Sequence, residues 1–139
     1  MDEAWFSKIE SRIYTIFKKR MRDNFPTISF TTEQEKVVES KFPMVYLHEL
    51  EQLEQGNDLE NITVNAVLST IQIQVFTKTA AENKRIMTEA VLQMKRLAFN
   101  VVAMPIYTSD GDKSVFLSVM RCRRMIGSGD RGIGNNEVC

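Results

Sequence analysis

An α+β fold, with a mostly antiparallel sheet of about four to five strands and two main helices packed on one face, is the expectation for this chain. Three observations carry it. Two segments, one near the start and one past the middle, repeat apolar residues with a helical period. Between and after them, apolar residues alternate along the chain, the pattern of half-buried strands. The last two strand-like segments flank Asp110-Gly111, a hairpin signal that makes them antiparallel neighbours.

The opening helix is read over residues 2–21. Trp5, Ile9, Ile13 and Phe17 recur every four residues, with Phe6 and Ile16 widening the stripe. Asp2 and Glu3 complement the positive end of its dipole, and Lys18, Lys19, Arg20 and Arg22 the negative end. Pro26 ends it. Ile28 and Phe30 alternate in a short strand over 27–31. Residues 32–41 are open between a capped turn (Thr32 with Glu35) and a strand (Val37, Val38). A strand follows over 43–50, with Val45 and Leu47 on one face and Met44, Tyr46 and His48 on the other. Residues 51–61 read as a polar loop around Gly56.

The strongest strand signal runs over 61–78. Ile71, Ile73 and Val75 alternate with Gln72, Gln74 and Phe76. Val64, Ala66 and Leu68 alternate in the opposite phase, which predicts a bulge or bend between Leu68 and Ile71. The second helix opens on a capping box, Thr79 with Glu82, and its stripe is Ile86, Ala90, Met94 and Leu97. Asn100 is expected as its left-handed cap. Strands over 100–107 and 114–124 close the body. In the last one Val115, Leu117, Val119, Arg121 and Arg123 share one face, and Phe116, Met120, Cys122 and Arg124 the other. Residues 1–126 are therefore read as a single domain. The last thirteen residues, 127–139, hold four of the six glycines and read as a flexible tail.

Composition narrows the function. Of 139 residues 43% are apolar and 26% charged, and 18 Lys and Arg balance 18 Asp and Glu. Zero net charge argues against a protein whose main work is coating nucleic acid or an anionic membrane. No run approaches the ~20 apolar residues of a membrane span. The acidic start MDEAWFSKIE lacks the apolar core of a signal peptide. One histidine and two cysteines, Cys122 and Cys139, support neither a disulfide framework nor a zinc site of ordinary spacing. There is no Gly-rich phosphate loop and no G-x-S-x-G elbow, and a Ser-His or Cys-His nucleophile depends entirely on His48. The carboxylates at 49, 51, 54, 58 and 60 read as solvated charge rather than an acid–base pair. The expectation is a binding or structural module that is not an enzyme and needs no cofactor and no metal.

The local phrases and their order carry a resemblance. An amphipathic helix (IESRIYTIFKKRM) leads to FTT, a proline-led strand (FPMVYLHEL) and a polar loop. A long strand ending IQIQVFTK, a capped helix closing on LAFNVV, and a hairpin ending MRCRRMIGSGD follow. Over about residues 5–130 this is similar to the tail-terminator (tail-completion, or minor capsid) proteins of long-tailed bacteriophages, particularly those of Gram-positive hosts. The resemblance implies an α+β domain that forms a homo-hexameric ring on the head-proximal end of the tail tube. The ring stops tube polymerisation and presents the surface that joins the head. Its implied partners are further copies of itself, the tube protein and a head-completion or connector protein, with DNA passing through the lumen without sequence-specific binding and no membrane. Its implied place is the virion tail at the head–tail junction, after assembly in the host cytoplasm.

On that reading Arg121, Arg123 and Arg124 face an acidic partner or the lumen, and Phe76, Phe116 and Met120 form an apolar face covered in assembly. The alternatives are a head-completion or head–tail connector protein, a small dimeric ligand-binding regulator, and a nucleic-acid binder using the basic cluster at 18–22.

Overall fold

The computed structural model describes residues 4–56, 64–109, 115–130 and 133. It is an α+β protein: one five-stranded mixed sheet, mostly antiparallel, and two helices. Helix α1 spans Ile9–Asn24 after a single 3-10 turn at Trp5–Lys8. Strand β1 is Ser29–Thr31, β2 Met44–Gln55, β3 Ala66–Thr77, helix α2 Ala80–Arg96, β4 Asn100–Ser109 and β5 Phe116–Gly127. The sheet order is β1-β2-β3-β5-β4, with β1 parallel to β2 and every other pair antiparallel.

The helical stripes do what their spacing predicts. Trp5, Ile9, Ile13, Phe17 and Met21 are buried, as are Ile86, Met87, Ala90 and Met94. They join Val45, Leu47, Ile71, Ile73, Val75, Met120, Cys122 and Ile126 in one cluster. Alternation then defines an inner face of the sheet, whose side chains enter this cluster, and an outer face opposite it. The Thr79 hydroxyl caps α2 by accepting the Glu82 N–H at 3.3 Å. Asn83, buried in the first turn, donates from Nδ2 to the Val75 and Phe116 carbonyls at 3.0 and 2.9 Å and so ties α2 to β3 and β5.

Several sequence expectations need correction. The strand beginning near Pro43 does not stop at Leu50 but runs to Gln55, so residues 51–55 are ladder rather than loop. The long strand shrinks to Ala66–Thr77; residues 61–63 lie outside the described residues. It carries no change of phase. Val67, Ser69, Ile71, Ile73, Val75 and Thr77 are all buried, and β3 pairs with β5 in unbroken register. The irregularity belongs to its neighbour: β2 skips a partner between Glu49 and Glu51, leaving Leu50 as the extra residue of a bulge. Ala66 and Leu68 mislead because they are apolar residues on the outer face, while Ser69 is a polar residue on the inner one.

The Thr32–Glu35 box does not form either. The Thr31 hydroxyl accepts the Glu33 N–H at 3.0 Å, and two short 3-10 turns follow at Gln34–Lys36 and Glu39–Lys41. The left-handed residue after α2 is Ala98, at φ 66°, not Asn100, which begins β4. Phe99 N–H bonds to Met94 O at 3.0 Å and Ala98 N–H to Lys95 O at 2.9 Å, the paired bonds of a Schellman close. The last strand also runs past Arg124, to Gly127. Gly127 pairs with Ala66 inside the sheet, and Ser128 N–H bonds to Asn65 O at 2.9 Å. Ile133 is buried in the core, with its carbonyl accepting from Arg12 Nη1 at 3.2 Å. Residues 134–139 and the Asp110-Gly111 turn lie outside the described residues.

Candidate assembly surface

The outer face has an ordered chemistry that follows from register. Leu53, Leu68 and Met125 form one row across β2, β3 and β5. The next two rows are polar: Glu51, Thr70 and Arg123, then His48, Gln72 and Arg121. Beyond them Tyr46, Gln74, Val119 and Ile106 line up, followed by Met44, Phe76 and Leu117. A cationic band thus lies between apolar rows. Its arginines are held from below: Arg121 Nε donates to Gln72 Oε1 at 2.9 Å, and Arg123 Nε to Thr70 Oγ1 at 3.1 Å, with Glu51 Oε1 3.8 Å from Arg123 Nη2.

The expected interface residues therefore separate. Arg121 and Arg123 stand together on the outer face. Arg124 pairs with Ser69 on the inner face, beyond the core, and its Nη2 meets Asp130 Oδ2 at 2.5 Å. Phe76 is on the outer face but half-buried, stacked on Phe42 with ring centroids 5.5 Å apart. Phe116 and Met120 lie opposite Thr77 and Ile73 on the inner face. Met120 is 0% exposed and belongs to the core, so it offers nothing to a partner. The sequence reading joined Phe76 to Phe116 and Met120 because cross-strand register is not written in either strand alone.

The two edges of the sheet differ. On one side β1 covers Met44–Tyr46 of β2, and further along Glu10 Oε2 accepts the Glu49 N–H at 2.8 Å while Gln52 Nε2 donates to Phe6 O at 2.8 Å. On the other side lies β4, and no described strand pairs with its outer edge. Its ten residues, NVVAMPIYTS, carry no charge. Val102, Met104 and Ile106 are 51%, 67% and 65% exposed, the most exposed aliphatic run among the described residues. Pro105 and two register irregularities interrupt it, devices that limit indiscriminate edge pairing. Sequence reading missed this edge, although the run of uncharged residues was the available signal.

A second polar group sits at the bulge. Glu49 Oε2 accepts from Ser69 Oγ at 2.5 Å, and Gln52 Nε2 lies 2.9 Å from both Glu49 oxygens. Burial pushes the Glu49 pKa up, opposed by the Ser69 and Gln52 hydrogen bonds. His48 stacks on Tyr46 and approaches Glu10 Oε2 at 3.6 Å. Ser69 is fully buried and its hydroxyl donates to Glu49 rather than to His48, so Ser69 and His48 do not make a nucleophile–base pair. The chemistry of this group is structural: it fixes the bulge and seats α1 on β2. Among the described residues no set of three metal-ligating side chains converges, and no helix is long and apolar enough to cross a membrane.

Comparison with protein-family models finds none that matches this chain, and comparison with curated proteins finds no match either.

Proposed function

We propose that this protein is a virion structural component that forms a ring at the head-proximal end of a phage tail tube, ends tube polymerisation and offers the surface to which the head joins. The observation that carries the reading is the unpaired, uncharged edge strand β4 with Val102, Met104 and Ile106 exposed. Such an edge is a liability in a lone molecule and a docking element in an assembly. The opposite edge is covered by β1 over Met44–Tyr46 and by Glu10 at the Glu49 N–H, and it differs in chemistry from β4, so self-association through β4 joins unlike surfaces, the geometry that closes into rings. The outer-face band of Arg121 and Arg123 supplies cationic contacts suited to an acidic partner or to passing DNA. The element order on which the tail-terminator resemblance rests is in keeping with this reading.

Deleting the gene from the phage or prophage that encodes it and measuring tails by negative-stain electron microscopy tests the proposal. Over-long tubes without heads are the expected result. Tails of normal length separated from heads move the protein to the head-side joint, as a connector. Intact particles remove it from assembly.

A further inference from the structure

We propose that the helix layer carries a receptor for an acidic segment of a second copy of this chain, with Arg20 and Arg96 as the cationic anchors and residues 51–55 of β2 as the segment received. This rests on the ring reading above and gives it a second pair of surfaces.

A depression of about 410 Å³ opens between the last turns of α1 and α2, lined by Arg20, Asp23, Asn24, Gln93 and Arg96. Its floor is fixed. Asn24 Nδ2 and Gln93 Nε2 both donate to Glu89 Oε1, at 3.1 and 2.7 Å. That arrangement leaves Gln93 Oε1 buried without a hydrogen-bond donor, in a residue only 2% exposed. Arg20 and Arg96 are exposed, and neither has a hydrogen bond or ion pair among the described residues. The depression thus offers two free guanidinium groups beside one orphaned acceptor.

The chemistry that satisfies all three is a carboxylate next to an N–H donor. The carboxylate takes the guanidinium groups, and the N–H relieves Gln93 Oε1. An acidic peptide strand has both; a phosphodiester has no donor for Gln93. The chain itself contains a matching strand. Residues Lys18–Asn24 and Ala80–Arg96 hold eight Lys and Arg against three Asp and Glu, whereas β2 holds three Glu and no Lys or Arg. Glu54 is exposed, without a hydrogen bond or ion pair among the described residues. Because β1 pairs only with Met44–Tyr46, the far end of β2 has an edge with no strand partner among the described residues, where alternate backbone N–H groups point outward. Receptor and segment sit on different elements, so the contact is head-to-tail.

A charge-swap experiment on the full chain tests this, read by sedimentation velocity at low ionic strength. Arg20→Glu with Arg96→Glu makes one variant, and Glu54→Lys with Gln55→Lys the other; circular dichroism checks that each is folded. The expected result is self-association of the wild type, loss of at least about tenfold in association for each variant alone, and recovery when the two are mixed. Variants that associate like the wild type, a mixture that stays dissociated, or a monomeric wild type at every concentration overturns the proposal. Failure of this contact and failure of the ring reading separate cleanly. Complementing variants with normal tails in the gene deletion keep the contact and remove the ring. Over-long tails with no complementation keep the ring and remove the contact.

Discussion

The Glu49 carboxylate and the Ser69 hydroxyl meet at 2.5 Å on the inner face of the sheet, one residue before the β2 bulge and directly beside the core. The pair explains how a strand with Glu at an inward position remains in the ladder. Ser69 and Gln52 supply donors to the carboxylate, and Glu10 supplies the acceptor for the Glu49 N–H.

Burial nevertheless raises the Glu49 pKa above its ordinary value of 4.5. Between the ordinary value and the raised one, the folded state therefore holds a proton there that the unfolded state releases. The resulting stability is fully present below the ordinary value and is lost as pH rises through the raised one. Wild type should gain stability relative to Glu49→Gln as pH is lowered from neutrality to the ordinary carboxylate range. Urea midpoints measured for both proteins across that window check this. A gap that does not change with pH contradicts the account.

Ala98 is a Cβ-bearing residue at φ 66°, a conformation that glycine adopts without steric cost. Its N–H and that of Phe99 close α2, so the site cannot relax to another conformation without losing two hydrogen bonds. Ala98→Gly should stabilise the protein by about 0.5–1 kcal/mol, raising Tm by about 3 °C. Ala98→Val should be destabilising. Thermal melts followed by circular dichroism decide it, and a lower Tm for the glycine variant counts against the strained-cap reading.

Much of this fold was legible because the information is local. Trp5, Ile9, Ile13 and Phe17 advertise a helix face by spacing alone, and Thr79 with Glu82 marks where α2 begins. Ile71, Ile73 and Val75 announce the inner face of β3 in the same way. What was illegible depends on partners distant in sequence. Ser69 can be buried because Glu49, twenty residues earlier, accepts a hydrogen bond from its hydroxyl, and no pattern within β3 reveals that. The bulge at Leu50 is visible only against β3. The candidate surface suffered most: Phe76 and Met120 look alike in sequence, and only the β3–β5 register sends one outward and the other into the core. The open edge of β4 depends on strand order, which no single segment encodes.

Cys122 is buried at the centre of β5, where burial pushes its thiol pKa to about 12 and its Sγ lies 3.8 Å from Ile71 O. The thiolate is the reactive form, so the native protein should not be alkylated there at pH 8. Iodoacetamide treatment followed by peptide mass mapping should leave Cys122 unmodified in the folded protein and fully modified in denaturant. Rapid native labelling of Cys122 contradicts the position assigned to it.

Met120 and the β4 methionine Met104 make a controlled contrast, because they share a side chain and differ in surroundings. Met120 is 0% exposed and sits opposite Ile73 in the core; Met104 is 67% exposed on the free edge. Truncating Met120 to Ala removes packed atoms and leaves a cavity, which should cost about 2–5 kcal/mol. Truncating Met104 touches no packed neighbour set, and Met104→Ser should stay within about 0.5 kcal/mol of wild type. If β4 is an assembly edge, the order of effects reverses in a functional assay. Met104→Asp with Ile106→Asp puts charge on the docking strand and should block incorporation into particles while leaving the melting curve of the isolated protein nearly unchanged. Complementation of a gene deletion, scored by tail length and infectious titre, reads that effect. Full complementation by the doubly charged variant means that β4 is not a docking edge, and the proposed ring then loses the observation that carries it.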